Sequence, residues 1–234
     1  MSRNLIITQR HGNDRHGTHF DSLESAYVDC LSSFGFRVIP IPATTPDFDL
    51  FVAKLSPCAI VLSGGGDVDP QLYGGLTTAR LSLSVERDRL EASLIQFAVR
   101  EKVPLLGICR GMQMINVFFG GALDGTTLPA TYADQDLLTP HSVQFDACSL
   151  QKQFPEGCEV NSYHRQAVAL DRIGNGLVFF ARHTTLPLAE GIRHTCLPIA
   201  GIQWHPERNQ VITPLDRLLL EAFRDRQLFW EVSH

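Results

Sequence analysis

The chain has 234 residues, 44% hydrophobic and 19% charged, a size and balance that bury a sizeable core and exclude disorder and small disulfide scaffolds. Twenty basic against 25 acidic residues leave a net charge of −5 and a pI near 6.0, so no global positive field draws the chain to nucleic acid or anionic lipid. The longest apolar stretches, such as 50–62 with Lys54, Ser56 and Pro57 inside it, fall short of the roughly 20 residues of a membrane helix, and Leu5-Ile6-Ile7 is too short for a secretory core; a cytoplasmic location with no membrane or nucleic-acid partner is expected.

In chain order, residues 5–8 read as a strand, 22–34 as a helix and 38–41 as a second strand, a βαβ opening. The helix follows from Leu23, Ala26, Tyr27, Cys30, Leu31 and Phe34 recurring at spacings of three and four, with Asp21 or Ser22 placed to cap it and Gly35 to stop it. Pro40 and Pro42 are expected to end the second strand. A short helix over 48–55 follows, and 58–62 reads as a buried strand running into Ser63-Gly64-Gly65-Gly66. A longer helix over 86–101 carries Leu90, Leu94, Phe97 and Ala98 on one face; Pro104 breaks it, and 105–108 forms a fourth strand parallel to the others. A helix over 111–119 comes next. Beyond Gly121 lie short strand-like pieces at 142–145, 177–181, 188–191 and 199–203, expected to extend or flank the sheet as antiparallel strands. The last helix, over 214–230, turns Leu215, Leu218, Leu219, Ala222, Phe223 and Phe229 inward behind Pro214. With no linker or internal repeat, 1–234 reads as a single α/β domain, a mostly parallel central sheet flanked by helices.

The strongest chemical signal is Gly107-Ile108-Cys109-Arg110-Gly111, where a buried strand meets a helix: a nucleophile elbow with sulfur in place of oxygen. Such a turn strains the nucleophile's backbone, and the flanking glycines relieve crowding between strand, turn and helix. The positive end of the helix favours thiolate over thiol, and the N–H of Arg110 points where a substrate oxyanion forms. The other five cysteines, Cys30, Cys58, Cys148, Cys158 and Cys196, form no C-x-x-C pair; they read as reduced, buried and structural, and no metal site is expected.

Among nine histidines, His205 in Gly201-Ile202-Gln203-Trp204-His205-Pro206-Glu207 has the most suggestive surroundings. In an extended segment residues two apart point the same way, so His205 and Glu207 are expected on one side, with Pro206 fixing the backbone between them. Cys109 then serves as nucleophile, His205 as general base and acid, and Glu207 as the group that fixes the ring's tautomer and stabilises its charge. The loop Ser63-Gly64-Gly65-Gly66-Asp67-Val68-Asp69-Pro70 lacks the Lys-Ser or Lys-Thr of a phosphate loop and the spaced glycines of a dinucleotide loop. It reads either as a tight turn or as an oxyanion donor, with an N–H of Gly65 or Gly66 facing that of Arg110.

Together these segments resemble the class I glutamine amidotransferase-like superfamily, and within it the γ-glutamyl hydrolase branch. The resemblance spans most of the chain and rests on five ordered motifs: the glycine loop at 63–70 with Tyr73; Glu86-Arg87-Asp88; Gly107-Ile108-Cys109-Arg110-Gly111-Met112-Gln113; Val160-Asn161-Ser162-Tyr163-His164; and the 201–207 segment. It implies a flavodoxin-like α/β fold with added antiparallel strands, a triad of Cys109, His205 and Glu207, a γ-glutamyl thioester released by water as glutamate, and no cofactor. It also implies Gly65 and Arg110 as oxyanion donors, and Gln113 with Asn161, Ser162, Tyr163 and His164 as walls of the γ-glutamyl pocket. A glutamyl group brings a carboxylate and an ammonium, which Arg87 and Asp88 could meet with one charge each; an exposed helix start is the alternative reading of that pair.

Residues 9–19 depart from the hydrolases that act on γ-glutamylated polyamine products, holding two arginines and three histidines. Loops after strand C-termini border the site in open α/β folds, so Arg10 and Arg15 are candidates to receive an anionic leaving group such as a phosphate or nucleotide; a solvated polar loop is the alternative. Some members of the superfamily remove γ-glutamyl from a cytidine-nucleotide amidate. The leading expectation is a free-standing hydrolase of a small-molecule γ-glutamyl amide. A glutaminase subunit feeding ammonia to a separate synthetase, and an inactive binding module on the same fold, are the alternatives. A homodimer and a synthetase partner are compatible with the resemblance without being implied by it.

Overall fold

The computed structural model describes residues 3–45, 48–76, 81–124, 139–146 and 148–231. In chain order its elements are β1 (Asn4–Thr8), β2 (Arg10–Asn13), β3 (His19–Ser22), α1 (Ser25–Ser33), β4 (Arg37–Ile41), α2 (Phe48–Leu55), β5 (Ala59–Leu62), α3 (Val85–Glu101), β6 (Leu105–Ile108), α4 (Arg110–Phe118), β7 (His141–Phe145), α5 (Cys148–Gln153), β8 (Cys158–Val160), β9 (Val168–Ala169), β10 (Leu177–His183), β11 (Leu188–His194), β12 (Ile199–Ile202) and α6 (Pro214–Asp225). Ten strands form one sheet in the order β4-β1-β5-β6-β12-β11-β10-β7-β8, with β9 paired to β11. The first five of that order run parallel; from β11 outward each pairing is antiparallel.

β1 illustrates why the sheet is covered on both faces. Leu5 and Ile7 belong to one core with Tyr27 and Leu31 of α1 and Leu219 and Phe223 of α6, whereas Ile6 belongs to another with Leu90 and Leu94 of α3 and Met112 of α4. The period-two alternation of a strand divides a continuous apolar run between two layers of helices, the arrangement that parallel crossovers produce.

Several expectations change. Residues 199–203 do not extend an antiparallel flank: β12 pairs parallel with β6, from Ile199↔Leu105 to Ile202↔Ile108, at the centre of the sheet. An apolar run buried on both faces reads the same in either direction, so only pairing sets its sense. Pro40 lies inside β4, which tolerates it as an edge strand. α1 starts at Ser25 behind Glu24, because Ser22 ends β3 and Asp21 accepts the Ala43 N–H at 3.0 Å. α6 stops at Asp225, where Arg226 takes φ 55, and Leu228–Trp230 form a separate 3-10 turn. The polar stretch after β1 is a two-stranded hairpin, β2 with β3. Of the cysteines expected to be buried, Cys30 is, and burial pushes its thiol up to about 12. Cys58 and Cys158 are half-buried and also pushed up by burial. Cys196 is exposed in the turn between β11 and β12, and the side chain of Cys148 lies outside the described residues.

Candidate active site

β6 ends at Ile108 and α4 begins at Arg110, so Cys109 alone makes the turn from strand to helix. Its backbone stands at φ 54, ψ −107, where a residue with a Cβ is strained by about 1–3 kcal/mol. The Cys109 N–H donates to the Ile202 carbonyl at 2.7 Å and ties the turn to β12. The flanking glycines are required by packing: a Cβ on Gly107 would lie 2.5 Å from the Gly111 carbonyl carbon, and one on Gly111 2.2 Å from the Leu62 carbonyl oxygen. Strand, helix and β5 approach too closely there for any side chain.

The chain leaving β12 carries His205 to the thiol. Its ring hydrogen-bonds with Cys109 and with Glu207, Nδ1 to Oε1 at 2.6 Å, and the His205 and Glu207 side chains are each 1% exposed. The pairing does not arise from an extended segment: Pro206–Arg208 is a 3-10 turn with Pro206 at its first position, and the turn brings Glu207 back to the ring. Asn161 clamps the His205 backbone, its Oδ1 accepting from the N–H and its Nδ2 donating to the carbonyl, each at 2.8 Å. Burial opposes charge on this imidazole, but its hydrogen bonds to Cys109 and Glu207 and their negative charges outweigh it and lift His205 to about 9. At neutral pH the ring is an imidazolium held between two acids.

Gly64 fills the space between these groups. A Cβ on it would lie 2.7 Å from His205 Cε1, 3.0 Å from the Tyr27 hydroxyl and 3.4 Å from Cys109 Cβ. Its N–H donates to Tyr27 Oη at 2.8 Å, and burial, reinforced by the charge of Glu207, holds Tyr27 well above the usual tyrosine range and so neutral. The loop is gripped from the other side by Arg87 of α3. Its Nη2 donates to the Ser63 carbonyl at 2.6 Å, its Nη1 to the Gly65 carbonyl at 2.6 Å and its Nε to Glu91 Oε1 at 2.8 Å. The Arg110 guanidinium is paired with Asp88 and Glu91 in the same buried network. Burial alone would raise the Glu91 carboxyl, but Arg110 and Arg87 outweigh it and hold it below its ordinary value. Arg87 and Asp88 are thus neither an exposed helix start nor free charges for a substrate; the chain itself engages both.

Gln113, one turn beyond Cys109, donates from Nε2 to the Gln166 carbonyl at 2.9 Å and to Gln203 Oε1 at 3.2 Å. Ser162 is buried; Tyr163 is half-exposed and edge-on to His205 at 5.6 Å, beneath the Arg208 guanidinium. His164 is buried with Nδ1 3.0 Å from the Gln166 carbonyl. Arg10 lies against the glycine loop, its Nε 2.0 Å from where a Gly65 Cβ would stand, and pairs with Glu24. Arg15 is exposed and donates to its neighbour His16, so the structure separates the two arginines.

Sequence reasoning missed Tyr27, read only as part of an apolar stripe, and Glu190, read only as part of a strand. Glu190 is fully buried on β11, and its carbonyl accepts the Gln203 N–H at 2.8 Å. Its Oε1, Gln203 Nε2, Gln166 Oε1 and His164 Nε2 are buried with no hydrogen-bond partner among the described residues, while His141 Nε2 lies 3.3 Å from Glu190 Oε2. A carboxylate within the otherwise apolar run Leu188-Ala189-Glu190-Gly191 was the one available signal. Among the described residues no three His, Cys, Asp or Glu side chains converge as metal ligands, and no helix is long and apolar enough to cross a membrane.

The model of the peptidase C26 family matches residues 5–207. The glutamine amidotransferase-like protein YvdE of Lactococcus lactis is 31% identical over 207 residues, covering 85% of this chain and 86% of its own. The γ-glutamyl-γ-aminobutyrate hydrolase of Escherichia coli O157:H7 is 29% identical, covering 86% and 85%. The γ-glutamyl-CDP-amidate hydrolase of Campylobacter jejuni is 32% identical, covering 70% and 69%. In fold, the chain is similar to the crystal structure of a GMP synthase protein from Thermoplasma acidophilum, at a TM-score of 0.65 with 18% identity over 94% of this chain and 92% of that one.

Proposed function

Because the chain belongs to the peptidase C26 family of glutamine amidotransferase-like amide hydrolases, we propose that it hydrolyses a γ-glutamyl amide through a thioester on Cys109. The observation that carries this reading is the strained Cys109 turn with the buried His205 imidazolium hydrogen-bonded to it and to Glu207. The Cys109 thiolate attacks the γ-carbonyl carbon, and the carbonyl oxygen becomes an oxyanion facing the N–H groups of Gly65 or Gly66 and Arg110. His205 gives its proton to the departing nitrogen as the carbon–nitrogen bond breaks, leaving a γ-glutamyl thioester. It then takes a proton from water, the resulting hydroxide opens the thioester, and glutamate leaves with the thiolate restored.

The glutamyl head group brings an ammonium and a carboxylate, and the buried atoms beside Gln113 are of both complementary kinds. Glu190 Oε1 and Gln166 Oε1 can accept from the ammonium, and Gln203 Nε2 can donate to the carboxylate. Arg10 of β2, which lies against Gly65 and is paired with Glu24, is the residue we assign to an anionic leaving group. The test is glutamate release from glutamine, γ-glutamyl-γ-aminobutyrate and a γ-glutamyl nucleotide phosphoramidate, with Cys109→Ala as control. Turnover of an extended amide that is absent in the folded variant is expected. Turnover of glutamine alone would favour a glutaminase that serves a synthetase, and activity surviving in Cys109→Ala would overturn the thioester.

A further inference from the structure

Four charged side chains, Arg87, Asp88, Glu91 and Arg110, meet behind the glycine loop with at most 5% exposure each. Taking ions out of water is expensive, and apolar side chains of similar volume often hold a fold as well. What these ions hold is specific. Arg87 donates to three successive carbonyls, those of Ser63 and Gly65 at 2.6 Å and that of Gly64 at 3.3 Å. In a trans peptide the N–H points opposite the carbonyl oxygen, so each bond turns the next residue's amide away from Arg87. The Gly64 amide is thereby directed at Tyr27, which receives it, and the Gly65 and Gly66 amides also face away from the guanidinium. Both glycines need positive φ for this path, 86° and 73°. On the other wall, Arg110 supplies the first N–H of α4, a group with no partner inside the helix, and its guanidinium ends on Glu91 Oε2 while Arg87 ends on Glu91 Oε1. One carboxylate therefore spans both walls, and Thr8 Oγ1 anchors it with a hydrogen bond at 2.9 Å.

We propose that Arg87 and Glu91 are positioning residues for the reaction: through one buried ion network they fix the orientation and separation of the two backbone donors, the glycine-loop amide and the Arg110 amide, that receive the tetrahedral oxyanion. This rests on the γ-glutamyl hydrolase reading. Neither side chain touches the reacting atoms; each acts through the backbone it holds. A lysine at position 87 keeps the charge but offers one nitrogen, which cannot span Ser63, Gly65 and Glu91 together.

The experiment compares wild type with Arg87→Lys and with the near-isosteric Glu91→Gln. Turnover of a γ-glutamyl anilide, alkylation of Cys109 by iodoacetamide, and hydrogen exchange of individual amides are measured. Removing an oxyanion donor typically costs 100- to 1,000-fold in kcat, so kcat should fall about 100-fold in a folded variant with KM within about threefold. Exchange at Gly64, whose N–H is held on Tyr27 Oη by this network, should accelerate at least about tenfold, while alkylation, which needs the thiolate but no oxyanion hole, stays within about twofold. Unchanged exchange at Gly64 in either folded variant overturns the proposal, as does a loss of alkylation in step with kcat, which would place the damage at the Cys109–His205 pair. Should Arg87→Lys fail to fold, Glu91→Gln carries the same comparison. Exchange is read without substrate, so a wild type that releases no glutamate would refute the hydrolase reading while the loop measurement still decides the network.

Discussion

Replacing Glu207 by glutamine removes one charge and leaves the shape of the site, and its effect on pH dependence can be worked out. The Glu207–His205 contact is 2.6 Å long and nearly sealed from solvent, with His205 lifted from 6.5 to about 9. A hydrogen bond to a charged group contributes about 1.5–3 kcal/mol, and about 1.4 kcal/mol corresponds to one pKa unit. Glu207→Gln should therefore lower the ring by about one to two units, to roughly 7–8. In wild type the raised pKa contributes stability that is fully present below the unfolded value of 6.5 and is lost as pH rises through about 9. In the variant that loss is complete earlier. kcat/KM, which needs the ring protonated to expel the leaving nitrogen, measured from about pH 5 to 10 alongside thermal unfolding, should show the alkaline limb near 9 in wild type and moved toward neutrality in the variant. At pH 8.5 the protonated fraction of the ring falls from about three-quarters to between about a quarter and a thirtieth, so kcat/KM should be lower by roughly 3- to 25-fold. An alkaline limb that stays in place would refute the assignment of Glu207 as the group holding the imidazolium.

Gly64→Ala should reduce kcat at least about 100-fold, by the magnitude of a lost active-site geometry, since its Cβ would stand 2.7 Å from His205 Cε1; a variant within threefold of wild type in the same anilide assay would contradict the packing described. Glu190→Gln should erase the preference for L-glutamate over glutarate, which lacks the amine, in calorimetric binding, and a preserved preference would remove Glu190 from the head-group site. Arg10→Ala should weaken turnover of a phosphate-bearing γ-glutamyl amide about two- to fivefold, the scale of a surface charge contact, while sparing a neutral anilide. Arg15→Ala should spare both, and equal losses on the two substrates in Arg10→Ala would dismiss an anion subsite.

Legibility in the sequence followed the range of the interaction concerned. The elbow at Cys109 is a local object: glycines two residues either side announce a crowded turn, and it stands between β6 and α4 as the pattern implied. The helices over 86–101 and 48–55 were legible from apolar spacing, and the former gains only Val85 at its start. The motif at 201–207 identified His205 and Glu207, but for the wrong local reason, since a 3-10 turn brings them together. Arg87 and Asp88 read as charges for a substrate or as an exposed helix start, whereas long-range contacts with Ser63, Gly65 and Arg110, together with Glu91 one turn on, occupy them. Nothing in their own segment distinguishes a charge facing solvent from one facing a loop more than 20 residues away in the chain.

The sequence by itself determined the parts: which runs are buried strands, where the thiol stands, and which segment carries its imidazole, because apolar periodicity and glycine placement are properties of neighbouring residues. The tertiary structure decided how the parts meet. β12 takes its parallel place beside β6, which sets His205 against Cys109, because strand pairing depends on hydrogen bonds between segments almost a hundred residues apart that no local pattern encodes. The same holds for Tyr27, Asn161 and Glu91, ordinary helix or loop residues that meet Gly64, His205, and Thr8 with Arg110 respectively, all from other elements, once the sheet is assembled.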